Sequence, residues 1–408
     1  MLNRALEGVS VLDLSRILAG PWCTQNLADL GADVIKVESP KGGDDTRKWG
    51  PPFLDIPGSD DRFSAYFLSC NRGKQSIAID ISQADGAALV RQLAAKADVL
   101  VENFKSGSLA KFGLDYESLR GDNPRLVYMS ITGFGQEGPM AGRPGYDYVF
   151  QGYGGLMSYT GRPDDEPGGG PLRVGASIID LSTGMYGTTA VLAALFQREI
   201  SGKGQYIDLS LSDVAVALNA NQNMNYLVSG QVPVRRGNAH PNLAPYEIFA
   251  CQDGQHLILA IGNDQQFVRF CELAGEPSLA TDTRFATNEQ RLSNLTELRG
   301  AVSRLLLERS MDVWRDLLDK DGVPWGPVNT LDQVFHDPQT KFKRIRQDLT
   351  HPLAGKIPTV RNPLSHSDMS ETKAPPLLGE DTNDVLAGLG MSPENVARLK
   401  TQGVVVGR

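Results

Sequence analysis

Cysteine and histidine are scarce, with four and five residues in a chain of 408. Cys23, Cys70, Cys251 and Cys271 lie far apart and form no C-x-x-C pair. That spacing argues against a zinc site and against a disulfide scaffold, and it fits a reducing compartment such as the cytoplasm, or an organelle matrix if a transit peptide has been removed. No two histidines stand at the i, i+4 spacing of a helical ligand pair, so no metal is expected. P-loop, H-E-x-x-H and G-x-S-x-G motifs are missing. No uninterrupted apolar run approaches the roughly 18 residues of a membrane span, and the segment MLNRALEGVSVLDLS has no long apolar stretch before a small-residue cleavage site. No membrane partner is expected. Positive charge is also in short supply: 40 Lys and Arg against 48 Asp and Glu leave a net charge of −8, which speaks against a nucleic-acid partner.

What is present is ordinary globular material, 41% apolar and 22% charged, in a length that favours two or more domains over one. The first 140 residues alternate short apolar runs with helical patterns. Residues 9–14 (VSVLDL), 34–37 (VIKV), 76–80, 98–101 (DVLV) and 126–131 (LVYMSI) read as strands; 21–30 and 85–96 read as helices. This rhythm predicts an α/β fold with a parallel sheet covered by helices. From 132 to 175 Gly and Pro recur and periodicity is lost, the mark of a long functional loop. A helix follows Asp180, and residues 206–211 read as a strand. A domain boundary is placed near 226, and residues 246–325 carry one alternating strand, 256–261, with several helices.

One G-x-G-x-x-G occurs, at Gly133, Gly135 and Gly138. A dinucleotide site needs a helix to open there, but Pro139 and Pro144 follow, so an NAD-dependent oxidoreductase is a weak alternative. Asp180 is the most informative acid. It follows Ile178 and Ile179 and opens a helix with early glycines, Gly184 and Gly187. It is either a plain helix cap or a carboxylate kept ionised by the helix N-terminus and therefore able to act as a nucleophile, with the glycines admitting a large ligand to the backbone. Arg16 could hold an anionic ligand, Arg72 and Lys74 could meet phosphates, and paired hydrogen bonds from Arg235 and Arg236 could bind a carboxylate. Each could equally be a solvated or linker charge. Tyr146 could serve a site or merely cover the core.

The segments VLDLSRILAGPWCTQNLADLGADVIKVE (11–38), NRGKQSIAIDI (71–81), ADVLVENF (97–104), ITGFGQEGP (131–139), RPGYD (143–147), IIDLSTGMYG (178–187), SGKGQYIDLSLSD (201–213), DGVPWGPVN (321–329) and APPLLGEDTNDVL (374–386) occur in this order. Together they resemble the class III (CaiB/BaiF-type) CoA-transferases over nearly the whole chain. The resemblance implies a large Rossmann-like α/β domain built from both chain ends, here 1–225 and 327–408, a smaller α+β domain over 226–326, and an interlocked homodimer. It implies that Asp180 is the covalent nucleophile, and that CoA, a co-substrate rather than a resident cofactor, meets Ile17, Asn103, Phe104, Lys111, Phe112 and Phe134. Arg16, Leu18, Arg47, Tyr146 and Arg235 are the candidates for contacting the acyl group and the acceptor acid. Leu18 replaces the glutamine, and Thr132 the lysine, of the formyl-CoA transferases, which argues against oxalate and formate. HPNLAPY (240–246) and GNDQQF (262–267) resemble the branch that uses succinyl-CoA and dicarboxylates. The related α-methylacyl-CoA racemases use a histidine in a GHD motif. Here Tyr146, with an ordinary pKa near 10, would be a poor base at neutral pH, so racemisation stands as the alternative and transfer as the expectation.

Overall fold

The computed structural model describes residues 4–364 and 372–407; residues 1–3 and 408, the ends of the expected large domain, and the segment 365–371 lie outside the described residues. Within them, 4–156, 174–224, 338–364 and 372–407 form one compact unit. Its early elements are Ser10–Asp13 (β1), Ala19–Asp29 (α1), Asp33–Glu38 (β2), Lys74–Ile79 (β3), Ala84–Lys96 (α2), Val99–Glu102 (β4) and Val127–Thr132 (β5). Asp147–Tyr153 (α3), Ile178–Ser201 (α4), Tyr206–Ser210 (β6) and Leu211–Ala217 (α5) follow, and the chain end returns a short strand, Val405–Val406 (β7).

The strands assemble in the order β6-β5-β4-β1-β2-β3-β7. All pairings are parallel except that of β7 with β3. This is the doubly wound Rossmann-type order, in which the winding reverses between β1 and β4 and ligands bind beyond the carboxyl ends of the strands at that reversal. Alternate side chains along each strand feed two cores. Val11, Val99, Val101 and Met129 meet Cys23 and Leu27 of α1 and Val191 and Ala194 of α4. Leu12, Leu100 and Tyr128 face the other way, onto Leu89, Val90 and Leu93 of α2 and the C-terminal Leu386 and Leu399.

Most strands and helices fall within a few residues of their sequence-based limits. The stretch 132–175 does not. It contains α3, which the density of Gly and Pro around it hides. Helix α4 begins at Ile178, two residues before Asp180. It is 24 residues long, and its most apolar stretch of 18 has a mean hydropathy of 1.3, enough by length and composition to cross a membrane, but half of that stretch is buried in the protein. Gly184 and Gly187 serve this burial and not ligand access. A Cβ on Gly184 would stand 2.8 Å from the Ala19 carbonyl oxygen and from Trp22 Cδ1, and one on Gly187 would stand 3.1 Å from Met129 Cε. The two glycines let α4 close onto α1 and β5.

The second unit comprises Met157–Arg173 and Asn225–Asp337. An antiparallel sheet of Tyr246–Ala250, His256–Ala260 and Trp325–Pro327 packs with the helices Asp264–Ala274, Leu295–Leu306 and Met311–Asp321 around Phe249, Leu257, Phe270, Leu298 and Trp314. Its limits differ from the expected 226–326. Residues 157–173 belong here because Gly237 donates to the Gly161 carbonyl at 3.0 Å and Arg235 to the Ser158 carbonyl at 2.8 Å. The stretch after 326 belongs here because Trp325–Pro327 is a sheet strand.

Gly184→Ala tests the α1–α4 contact. Helix propensity alone favours alanine by about 1 kcal/mol, whereas forcing a methyl into filled space costs about 1–3 kcal/mol. The expected outcome is a lower denaturant midpoint for Gly184→Ala; a higher one would show that the helices are not in contact there.

Candidate active site

The chains leaving β1 and β4 turn toward each other at the reversal point of the sheet. Asn103, one residue past β4, accepts a hydrogen bond from the Arg16 N–H at 2.8 Å and donates to the Arg16 carbonyl at 2.7 Å. Its neighbour Glu102 accepts from the Phe104 N–H at 2.7 Å. The next residue on the first chain, Ile17, has φ 72°, a left-handed conformation strained for a β-branched side chain. It is pinned there by Asp44, whose carboxylate accepts the Ile17 N–H at 3.2 Å. Asp44 is in turn paired with Lys36 at 3.0 Å, both fully buried, and Lys36 also donates to the Ser15 carbonyl at 2.7 Å.

The turn so held forms one wall of a cavity of about 300 Å³ lined by Arg16, Ile17, Leu18, Asn103, Phe104, Tyr146 and Asp180 among others. Six of the sequence candidates for CoA or substrate contact therefore converge here with the candidate nucleophile. Lys111, Phe112 and Phe134 stand outside the lining. Lys111 lies over the Phe112 ring at 4.7 Å, and Phe134 packs between Phe150 and Tyr153, with ring centroids 5.1 and 5.0 Å away.

Asp180 is 8% exposed. It is the third residue of α4 and caps nothing; the N-cap position is Ser177, which makes no capping bond with its side chain. Asp147, the first residue of α3, does the capping. Its Oδ1 accepts the N–H groups of Ile179 at 2.7 Å and of Asp180 at 3.2 Å, and its Oδ2 accepts from Gln151 at 2.6 Å. These bonds correct the expectation that free amides of α4 keep Asp180 ionised. The amides are occupied by another carboxylate. Burial, with the Asp147 charge beside it, pushes the Asp180 carboxyl up to about 7. The Tyr66 hydroxyl, hydrogen-bonded to Ser177, lies within reach of the same charge; burial first and Asp180 second push it up to about 12.

Three candidates are removed from the site by the ion pairs that hold them. Arg72 is buried in a bidentate pair with Asp29, at 2.8 and 2.6 Å. Lys74 is fully buried, and its ammonium donates to Asp13 at 3.0 Å, to the Pro21 carbonyl at 3.0 Å and to Asn71 at 2.9 Å, which uses all three of its protons. Arg47 clamps Glu38 at 2.8 and 2.6 Å, donates to the Pro376 carbonyl at 3.1 Å, and lies over the Phe67 ring at 3.8 Å. None of the three can meet a phosphate or a substrate carboxylate without breaking these bonds. Arg235, in the second unit, pairs with Asp164. Arg16 is different. Its side chain is 51% exposed, and its one ion pair among the described residues, with Asp45 at 3.1 Å, is equally exposed, the kind of pair worth only about 0–1 kcal/mol. Arg143 and Lys105 also line the cavity. The sequence does not single out either of them, or Asp147, because a charge in irregular chain gives no sign of the direction it faces.

The family described as CoA-transferase family III matches residues 6–382. The chain belongs to that family. It is 49% identical to the succinate–glutarate CoA-transferase of Agrobacterium fabrum, over 94% of this chain and 95% of that protein. It is 41% identical to the human succinyl-CoA:glutarate CoA-transferase, over 98% of this chain and 90% of that one. A CaiB/BaiF family protein from Brucella suis, 49% identical, superposes with a TM-score of 0.81 over 95% of this chain and 100% of that structure. This class III CoA-transferase thus has an enzyme family's fold around a cavity with a protonatable buried carboxyl.

A carboxyl whose folded pKa of about 7 lies above its free value of 3.8 disfavours the charged state in the fold. The resulting destabilisation is absent below pH 4, grows between pH 4 and 7 by about 1.4 kcal/mol per pH unit, and is complete above 7. Asp180→Asn should therefore raise the melting temperature at pH 8 and leave it unchanged near pH 4. Carbon-13 NMR of aspartate-labelled enzyme, assigned with the same variant, should show one carboxyl titrating near pH 7. An Asp180 signal that titrates near 4 would contradict this geometry.

Proposed function

We propose that this CoA-transferase moves CoA from succinyl-CoA to a dicarboxylate through covalent intermediates on Asp180. The observation that carries the reading is a carboxylate without a hydrogen-bond donor among the described residues, facing a cavity at the reversal point of a Rossmann-type sheet. Such a group has no hydrogen bond to give up before it forms a covalent bond. In the proposed course an Asp180 oxygen attacks the thioester carbonyl, the C–S bond breaks, and CoA leaves as thiolate from a succinyl–aspartyl anhydride. The thiolate then attacks the aspartyl carbonyl and expels succinate, giving an aspartyl-CoA thioester. The acceptor carboxylate attacks that thioester, and CoA thiolate returns to the acceptor's carbonyl, which frees Asp180. No net proton or electron is exchanged. The names of the close relatives support succinyl-CoA as donor and a dicarboxylate such as glutarate as acceptor.

In this reading Arg16, weakly held by Asp45, exchanges that partner for the remote carboxylate of the acceptor, and Leu18 covers the acyl chain. CoA extends from the cavity past Asn103 and Phe104. The enzyme works as a homodimer, which the apolar outer face of α4 supports: Phe196 and Ile200 are 73% and 77% exposed and need cover. Four free, buried cysteines fit a reducing compartment such as the cytoplasm.

Asp180→Asn should abolish transfer from succinyl-CoA to glutarate while CoA still binds, and hydroxylamine should trap an adduct at residue 180 in the unsubstituted enzyme only when succinyl-CoA is present. Ordinary turnover by Asp180→Asn would end the reading. Exchange of an α-proton with deuterated solvent, without any acceptor acid, would favour the racemase alternative. For Arg16→Ala the expected outcome is a KM for glutarate raised about 10- to 100-fold, as the loss of a charge-assisted bond of about 1.5–3 kcal/mol implies, with the KM for a monocarboxylate such as butyrate little changed.

A further inference from the structure

We propose that Asp147 is the positioning residue of the nucleophile: its carboxylate holds the amides of Ile179 and Asp180 and stands as a second negative charge beside the Asp180 side chain. The inference rests on Asp180 being the group that attacks the thioester, and it adds how the protein prepares that group. The hydrogen bonds carry the argument. Asp147 accepts three N–H donors, two from the first turn of α4 and one from Gln151. Gln151 is fully buried, and its own oxygen accepts the Val174 N–H at 2.8 Å. The clamp thus fixes both ends of the segment 174–180, the last stretch of irregular chain before the nucleophile. A side chain capping a helix 33 residues away fixes where that helix starts, and so where the third residue points.

The second consequence is chemical. In the succinyl–aspartyl anhydride, CoA thiolate can attack either carbonyl. Attack on the succinyl carbonyl expels the Asp180 carboxylate and reverses the reaction. Attack on the aspartyl carbonyl expels succinate and moves it forward. The weaker base leaves more readily. A free carboxylic acid in water titrates near 4, so an Asp180 that titrates near 7 is the poorer leaving group, and this first anhydride partitions toward the aspartyl-CoA thioester; in the second anhydride, where Asp180 itself must leave, the same basicity acts against product release. The same basicity makes Asp180 the stronger nucleophile in the first step. Charged and titratable groups that face Asp180 are Asp147 from α3, Tyr66 from the short helix Ala65–Cys70, and, around the cavity, Arg16, Asp45, Lys105, Arg143 and Tyr146. Of these Asp147 is the one whose charge acts on Asp180 most strongly.

The test compares Asp147→Asn, which keeps an acceptor oxygen and loses the charge, with Asp147→Ala, which loses both. The carbon-13 titration of Asp180 and the pH dependence of kcat/KM for succinyl-CoA are read together. In Asp147→Asn the Asp180 titration and the acid limb of the rate profile should both move down by about one pH unit or more, with the KM for succinyl-CoA held within about threefold. In Asp147→Ala, amide hydrogen exchange at residues 179 and 180 should speed up at least tenfold and kcat fall further than in Asp147→Asn at every pH. An Asp180 titration unmoved in Asp147→Asn, or unchanged exchange in Asp147→Ala, overturns the proposal. A titration that moves while the rate profile stays in place leaves Asp147's hold on Asp180 intact but defeats its catalytic purpose, because it shows that Asp180 does not limit transfer as a nucleophile.

Discussion

Two buried ion pairs beneath the turn after β1 hold the rest of the site in place. Lys36 is paired with Asp44 and Lys74 with Asp13, and all four side chains are sealed from water. Each pair reaches the backbone of the turn. Asp13 takes the Ser15 N–H at 2.9 Å, Lys36 takes the Ser15 carbonyl, and Asp44 takes the Ile17 N–H. A left-handed isoleucine costs on the order of 1–3 kcal/mol and persists only where the surroundings fix it more firmly than that. Breaking a buried pair by removing one partner costs about 3–5 kcal/mol, so a substitution that releases the turn also leaves a charge unpaired in the interior. Arg16, Leu18 and the start of α1 take their positions from this turn, and Asn103 ties it to β4 across the point where the sheet reverses.

The same chain shows what a buried carboxylate does with and without a cation. Burial works to raise both Asp13 and Asp180. Asp13, facing Lys74 and Lys36, is nevertheless held down at about 2; Asp180, facing Asp147, is carried up to about 7. Glu38 and Asp44 follow Asp13, since their partners Arg47 and Lys36 outweigh burial and lower them. The difference separates the ion-paired carboxylates that build the fold from Asp180, which lines the cavity without a cation to hold its charge. The cations divide in the same way. Arg47 and Arg72 are each committed to a bidentate carboxylate pair and Lys74 has all three protons in use, whereas Arg16 has, among the described residues, a single exposed ion-pair partner that a ligand carboxylate can replace.

Much of the sheet was legible because a parallel sheet buried on both faces requires short apolar runs separated by amphipathic helices, and residues 9–131 spell that pattern out. Asp180 was legible through the motif IIDLSTGMYG and the family it resembles, since a carboxylate at the start of a helix is by itself a common cap. The reason given for its reactivity was not, since α3 sits in a stretch whose glycines and prolines mask a seven-residue helix, and the amides of α4 go to a residue 33 positions back. Gly184 and Gly187 were noticed as glycines near a nucleophile, yet they admit α1 and β5 and not a ligand. Arg47, Arg72 and Lys74 failed as ligand contacts because their acidic partners lie 9, 43 and 61 residues away, and nothing local marks such pairings.

By itself, then, the sequence determined what local periodicity and ordered motifs can express: the α/β class, most strand positions, the family resemblance and the acid to watch. Tertiary structure alone decided which charges are neutralised, which glycines are contacts between helices, and what Asp180's amides and carboxyl meet. Those outcomes depend on neighbours brought together by the reversal of the sheet at β1 and β4. Electrostatic energy depends on distance in space and on burial, and a linear order of residues contains neither.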